Sequence, residues 1–559
     1  DNGEWHENNS SNVINKIIIE NGVNNIGEYA FYGSNKLSSI EILSSIKEIG
    51  EGAFYKCKSL KNIEIPDSVV EMGEGVFAEC ISLTNVRIPS KITEIKDGVF
   101  FECNNLTSIE IPSSVTSIGD SAFYGCSSLE SIKIPSSVTS IEISAFLECS
   151  SLKEIKVDNN NKNYIDENGI LYDKNKTRLE CYPTGKMEKS FSIPSSVTSI
   201  GDGAFAGCNS LEDIEIPSSV TSIEDLAFFE CSSLKEIKVD NNNENYTDEN
   251  GIVYNKNKTK IICYPGGKTE KNFRIPNSVT SIGYGTFAGC SSLENIEISS
   301  GVTIIENDAF WLCSRLESIE IPSSVTNIKW GTFLECSSLS SIKIPSSVTS
   351  IEEYAFEGCS SLKNIEIPSS VTSIGEYAFE RCSSLVSINI PETVTNIGNG
   401  AIPSSTLIYT ELNSEAHKYA EKNKQGYIIC KFGINKYEIK NNYIVKIKPN
   451  TIYNEFINEI WTSQTYTIKE GEKEIGGTDL IKTGQVLTTE SGNKYTLVVI
   501  GDLNGDGKIS LVELARISKI GVGKVNDIKE IEKMAIDVNV DGNITILDLA
   551  SIAKLQNQK

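Results

Sequence analysis

Twelve residues near the C-terminus carry oxygen donors at the spacing that a hard cation requires. Asp502, Asn504, Asp506, Ser510 and Glu513 occupy positions 1, 3, 5, 9 and 12 of the run 502–513, and Gly507 at position 6 permits a sharp turn. The main-chain carbonyl of Lys508 supplies a further donor at position 7. Calcium takes 6–8 oxygens, and a loop of this pattern wraps them around the ion. A second copy starts 35 residues later, with Asp537, Asn539, Asp541, Gly542 at the turn, Asn543 by its carbonyl, Thr545 and Asp548. One such loop is compatible with an ordinary surface turn. Two in tandem predict two bound Ca2+ ions.

The elements around the loops follow from their patterns. Helices are expected near Leu511–Ile520 and Ile546–Leu555, one after each loop, whereas Tyr495–Val499 alternates as a strand and enters the first loop directly. Only the following helices are therefore expected, without the entering helix of a full EF-hand. Upstream, residues 431–499 hold alternating segments such as Tyr443–Ile447 and turns at Gly476-Gly477 and Ser491-Gly492. They predict a small β-rich spacer domain with a helix around Ile452–Ile460.

Other catalytic chemistry is poorly supplied. Histidine occurs twice, at His6 in a polar N-terminal tail (1–12) and at His417 within 413–424, a helical segment suited to capping a repeat array. Cys430 is the only thiol near His417, and a packed cap histidine beside a packed cysteine accounts for both. Carboxylates are everywhere, but a glycosidase needs two facing each other across a cleft.

The strongest signal is a period. Cys57, Cys80, Cys103, Cys126 and Cys149 recur every 23 residues, as do Phe54, Phe77, Phe100, Phe123 and Phe146. Cys290 to Cys382 and Phe287 to Phe379 repeat the same spacing. A fixed interval marks a repeat position, so the cysteines read as a ladder of small buried side chains that are mostly unpaired. In the unit Ser128–Cys149, Leu129, Ile132, Ile134, Val138, Ile141, Phe146 and Cys149 are the inward positions. Ile132-Lys133-Ile134 is a short strand with one outward side chain, Pro135 ends it, and the Ala145-Phe146 segment turns back as a short helical turn. A unit this small cannot bury its apolar face alone, so stacked units share one core in a solenoid with a parallel sheet.

The pattern Ile-Pro-Ser-Ser-Val-Thr-Ser-Ile, Ala-Phe, Cys-Ser-Ser-Leu resembles the bacterial BspA-type surface leucine-rich repeats over about residues 13–402. The solenoid with its cap is assigned to 13–430. It departs from its period in two twin insertions, about 159–193 and 241–275, where Ser151–Asp158 matches Ser233–Asp240 and one interval lengthens to 59 residues. Ile170–Tyr182 and Ile252–Tyr264 read as hairpins around Lys-Asn-Lys turns, with their tyrosines packing them. The resemblance implies that such insertions project from the rod. The outward strand position sets Arg87 between Glu64 and Glu110, and Lys343 between Glu320 and Glu366. Such cross-strand pairs contribute a few tenths to about 1 kcal/mol each. This face lacks aromatic platforms and suits a protein partner better than a glycan.

Residues 500–559 are similar to dockerin modules, whose paired calcium loops hold a helical surface that binds cohesin domains. By loop position, Leu511 and Val512 match Ile546 and Leu547, and Lys519 matches Lys554. The resemblance implies that these six face the partner, with the first pair apolar where the best-known dockerins carry Ser-Thr.

Composition agrees. The net charge of −24 over 559 residues leaves no basic surface for nucleic acid. No run approaches the ~18 apolar residues of a membrane span. The fold class expected is a mixed α/β repeat: a leucine-rich-repeat solenoid, a small β-rich spacer and a C-terminal all-α paired-calcium-loop dockerin. The resemblances imply an extracellular or cell-surface-associated, non-catalytic adhesion protein, with a protein or matrix ligand on the rod and a cohesin on a cellulosome-like scaffold. The rival from another class is a dockerin-borne enzyme or protease inhibitor of an extracellular polysaccharide-degrading complex.

Overall fold

The computed structural model describes residues 16–19, 22–411, 413–429, 438–440, 443–457, 466–489, 494–510, 513–514, 516–517, 520, 529–538, 544 and 546–556. The tail with His6, Cys430, Leu511, Val512, Lys519, Asn539, Asp541, Asn543 and Thr545 lie outside the described residues, as do the side chains of Ile546 and Leu547. The chain forms two compact units. One comprises Asp1–Ile365, Ser373–Leu385 and Gly398–Pro403; the other comprises Glu366–Thr372, Val386–Ile397 and Ser404–Lys559.

In the first unit each repeat is one rung of a solenoid. Its first strand pairs in parallel with the next rung, as where Ser131–Ile134 meets Glu154–Val157 in the register Ile132↔Ile155 and Lys133↔Lys156. Burial alternates along the strand, outward Lys133 exposed between buried Ile132 and Ile134. A second short strand after the Pro-Ser-Ser-Val corner builds a second parallel ladder, as in Ser199–Ile200 beside Ser222–Ile223.

The Ala-Phe segment is not a helical turn. It makes successive i→i−3 turns, with Ala78 N–H donating to Gly75 O and Cys80 N–H to Phe77 O. Left-handed residues such as Gly75 (φ 57) and Glu79 (φ 54) recur through it. A helix needs consecutive right-handed residues, and these two break the run. The freed main chain bonds to the next rung instead, Phe77 N–H to Val99 O at 2.9 Å and Phe100 N–H to Ala122 O at 2.9 Å.

The periodic side chains fill the interior. Phe54, Phe77 and Phe100 are fully buried and stack near-parallel, with centroids 5.5 and 5.8 Å apart. Each ladder cysteine points its thiol at the carbonyl of the preceding rung's stacked aromatic residue, as Cys80 does to Phe54 O at 3.1 Å and Cys290 to Tyr264 O at 3.5 Å. The described cysteines are all free, and burial pushes the Cys126 thiol up to about 12. These thiols are inert packing groups.

The insertions fold into the solenoid. Phe146 to Tyr182 spans 36 residues and Tyr182 to Phe205 spans 23, so each insertion is 13 extra residues followed by a disguised rung. Tyr182 takes the phenylalanine position, buried and stacked on Phe205 at 5.4 Å, and Tyr264 does the same on Phe287 at 5.3 Å. The hairpin Ile170–Asp173 with Arg178–Cys181 forms as expected, joined by a further antiparallel strand, Tyr164–Glu167. Arg178–Cys181 then runs parallel onto Ser199–Ile200. The extra length is locked by buried Asn161, whose amide donates to Pro135 O (2.8 Å) and Val138 O (3.0 Å) and accepts from the Asn163 and Tyr164 N–H groups. Asn243 repeats all four bonds in the twin.

On the outward sheet face Arg87 passes over Glu64 and Glu110 and forks onto Asp67, at 3.0 and 2.9 Å. The carboxylate is fixed there because it also accepts the Ser90 N–H. Cross-rung pairing at the outward position does occur between Arg274 and Glu297 (3.3 Å), and just before the strand Glu212 bridges Lys189 (2.6 Å) and Lys235 (2.7 Å).

In the second unit Ser387–Asn389, Leu407–Thr410 and Tyr427–Ile429 form a parallel ladder. The helix Glu415–Lys422 crosses between the last two, capped by Ser414, whose hydroxyl accepts the His417 N–H. His417 is buried edge-on against Tyr427, and its Nδ1 accepts the Asn413 N–H at 3.1 Å. It is a packed cap histidine. Farther along lies a six-stranded sheet, in the order Glu438–Lys440, Tyr443–Ile447, Lys494–Val499, Val486–Thr489, Tyr466–Glu470 and Lys473–Glu474. One face buries Ile444, Ile447, Phe456, Ile468, Leu487 and Leu497. Phe456 comes from the helix Tyr453–Ile457, inside the expected span. Among the described residues no helix is long and apolar enough to cross a membrane.

Candidate calcium-binding module

The first loop is organised by its carboxylates. Asp502 is fully buried, and its two oxygens accept four main-chain N–H groups: Gly505 and Asp506 on Oδ1, Thr483 and Gly507 on Oδ2. Burial pushes its carboxyl above the usual range, and these four N–H groups offset part of that. Asn504 Oδ1 accepts the Asp506 N–H, and Asp506 Oδ1 accepts the Lys508 N–H, so positions 3 and 5 are held by turns within the loop.

Position 12 closes the ring. Glu513 Oε1 accepts the Leu503 and Asn504 N–H groups, while Oε2 accepts the Ser510 N–H at 2.8 Å. The Ser510 hydroxyl accepts the Glu513 N–H in return. Ser510-x-x-Glu513 thus makes the reciprocal bonds of a capping box, and loop positions 9 and 12 owe their placement to it. One oxygen each from Asp502, Asp506 and Glu513 lies within 4.8 Å of the other two. Three carboxylates this close repel one another unless a cation sits among them, so the donor set fits a divalent hard ion. When bound, calcium would be held by these oxygens with Asn504, the Lys508 carbonyl and Ser510.

In the second loop Asp537 and Asp548 are described, and both are buried. Val538 N–H donates to Asp548 Oδ1 at 3.0 Å, the same position-2 to position-12 bond that Leu503 makes to Glu513. Asp548 lies in the first turn of the helix Ile546–Gln556, on which Lys554 is exposed.

The expected absence of entering helices holds for the first loop only. The helix Glu530–Ile536 leads into Asp537. Its signal was present in Glu530 and Glu532 in the first turn and in the spacing of Ile531, Ala535 and Ile536. Thr483, far from the motif, carries no sequence signal for its contact with Asp502. The paired halves share one core of Ile500, Ile517, Ile520, Ile536 and Ile552.

Catalysis by facing carboxylates needs a cleft, and the insertions form one. A cleft of about 80 Å³ is lined by Tyr164, Arg178, Glu180, Cys181 and Asp202 among others. Arg178 pairs with Glu180 at 2.8 Å and forks onto Glu224 beside the cleft, Asp202 is pushed up to about 6 chiefly by burial, and Cys181 is pushed up to about 12 by burial.

The repeat matches the BspA type leucine rich repeat region over residues 8–126, 70–172, 178–267, 263–368 and 349–471. The chain belongs to that family. A dockerin type I domain matches residues 500–555, the span of both loops. Among solved structures the chain is similar to a leucine-rich repeat protein from Eubacterium ventriosum, at 28% identity over 66% of this chain and 91% of that one, with a TM-score of 0.40. It is also similar to a leucine rich cell surface protein from Faecalibacterium prausnitzii (27%, 70% and 88%, TM-score 0.34). A leucine-rich repeat protein from Bacteroides ovatus matches at 29%, 68% and 87%, with a TM-score of 0.29. No curated protein matches the chain.

Proposed function

We propose that this BspA-type protein is a secreted, non-catalytic recognition rod held at an extracellular or cell-surface assembly through its dockerin. In this reading the rungs present a long polar surface to a protein or matrix ligand. Two calcium ions, bound by Asp502, Asn504, Asp506, Lys508, Ser510 and Glu513 and by Asp537, Asn539, Asp541, Asn543, Thr545 and Asp548, order the helices that meet a cohesin. Leu511, Val512 and Lys519 would meet it in one orientation, and Ile546, Leu547 and Lys554 in the other.

The observation that carries the proposal is the convergence of the Asp502, Asp506 and Glu513 carboxylates in a loop whose position-2 to position-12 bond recurs in the second copy. Cohesin docking is what a dockerin type I domain brings with it. The inert thiols and the pairing of Arg178 with Glu180 and Glu224 at the insertion cleft favour display over turnover.

The test is titration of the full chain against a panel of purified cohesins by calorimetry, in calcium and in EDTA. Calcium-dependent binding that is lost on Leu511→Asp combined with Ile546→Asp supports the reading. Binding unchanged by EDTA would overturn the tethering. Hydrolysis of a polysaccharide or peptide substrate by the purified chain would overturn the display role.

A further inference from the structure

The first loop is entered by a strand, yet its position-1 carboxylate is the most deeply buried polar group among the described residues of the module. Something else must hold it. The surrounding groups come from the six-stranded sheet module upstream. Thr483 N–H donates to Asp502 Oδ2 at 2.9 Å, beside the Gly507 N–H on the same oxygen at 3.0 Å. Thr483 is itself tied to the end of the strand leading into the loop, because its hydroxyl accepts the Val499 N–H at 3.0 Å.

The main chains meet without side chains between them. Gly505 and Gly507 adopt left-handed φ of +74 and +79. A Cβ on Gly505 would sit 2.9 Å from Thr483 O, and one on Gly507 2.6 Å from Ile481 O. Loop position 6 needs glycine for its turn, and here it needs glycine also to admit the wall. From the other side Asn450 N–H donates to Gly507 O at 2.9 Å.

The second half is joined as well. Gly501 N–H donates to Ala535 O at 2.8 Å. The sheet face opposite the module's own core buries Val445 and Val498 with Ala535, against Leu503, Ile531 and Met534. Those last two belong to the helix that enters the second loop.

We infer that the sheet module and the paired-loop module fold and bind calcium as one body, with 479–484 as the positioning wall that holds Asp502 where the ion needs it. The inference rests on the calcium reading above. Thr483 is a positioning residue: it touches a ligand and not the ion. A pre-oriented ligand costs less ordering on binding, so the wall raises calcium affinity, and calcium in turn steadies the wall.

Hydrogen exchange on the full chain, with and without calcium, tests this. Calcium is expected to slow exchange at least about tenfold in peptides over 479–485 and 498–501, which hold no proposed ligand, as well as over 502–513 and 537–548. Protection confined to the two loops would overturn the inference and leave calcium binding intact. Protection nowhere would overturn the calcium reading and the inference together. Thr483→Val provides a second measurement in the full chain, because it deletes the hydroxyl tie and keeps the shape. Calorimetry with calcium alone should show affinity falling at least about threefold at one of two sites. Unchanged affinity at both would overturn the positioning role.

Discussion

Asn161 and Asn243 offer one experiment performed twice in the same molecule. Each is buried, each donates two hydrogen bonds to carbonyls of the preceding rung, and each accepts two from its own insertion. Asn161→Asp keeps the two acceptors and removes both donors. The new carboxylate then faces Pro135 O and Val138 O at the distances of 2.8 and 3.0 Å now held by the amide. Val138 O is left unsatisfied at about 1–3 kcal/mol, Pro135 O keeps only the Val138 N–H at 3.3 Å and loses about 1 kcal/mol, and the buried charge adds to that. The expected local destabilisation is therefore about 3–6 kcal/mol at pH 7. Burial and the facing carbonyls would raise the folded pKa of the new carboxyl above its unfolded value of about 3.9. Its contribution to stability is thus best below about pH 4 and is lost as pH rises through the folded value. A protonated carboxyl can donate to one carbonyl, so about half of the loss should return in acid.

Because rungs contact only their neighbours, the effect should stay near the altered insertion. Hydrogen exchange of peptides over 155–173 should report it, with 237–255 as internal control, and Asn243→Asp should exchange the two roles. Protection within about 0.5 kcal/mol of the unaltered chain at pH 7 would refute the claim that this amide locks the insertion. So would a loss that does not recover in acid.

Phe310 stacks between Phe287 at 5.3 Å and Phe333 at 5.4 Å, fully buried. Phe310→Ala should cost about 3–5 kcal/mol by denaturant titration, and Phe31→Ala, at a partly buried position, clearly less. Glu513→Gln removes a charged ligand candidate and leaves one oxygen for three N–H donors. Calcium affinity at one site should fall more than about tenfold by calorimetry, with the solenoid's circular dichroism unchanged. Calcium at about 100 times its dissociation constant should stabilise the module by about 2.7 kcal/mol in thermal melts, an increment abolished by EDTA. Asp202 is pushed up to about 6, chiefly by burial and then by Asp225 and Glu224. A raised carboxyl pKa means that stability present at pH 4 declines as pH rises to 6. Asp202→Asn should remove that decline and raise stability by about 1–2 kcal/mol at pH 8, read as the pH dependence of the melting temperature.

Most of the solenoid is legible in the chain because its information is local and repeated. The inward set Leu129, Ile132, Ile134, Val138, Ile141, Phe146 and Cys149 states which side chains share a core, and a 23-residue period leaves stacking as the only way to bury them. The donors of the first loop are equally local, since Asp502 to Glu513 must close on an ion within twelve residues.

Three things were settled only in three dimensions. That Tyr182 stands in for a phenylalanine depends on which rung it stacks against, and a 36-residue interval hides the alignment. Arg87 finds Asp67 because a long side chain chooses among several carboxylates by reach and prior fixation, not by strand register. Thr483 meets Asp502 across nineteen residues of sheet. Sequence by itself determines contacts that recur or close within one loop; a main-chain donor brought in by a distant turn has no side-chain signature, and only the folded sheet decides where it points.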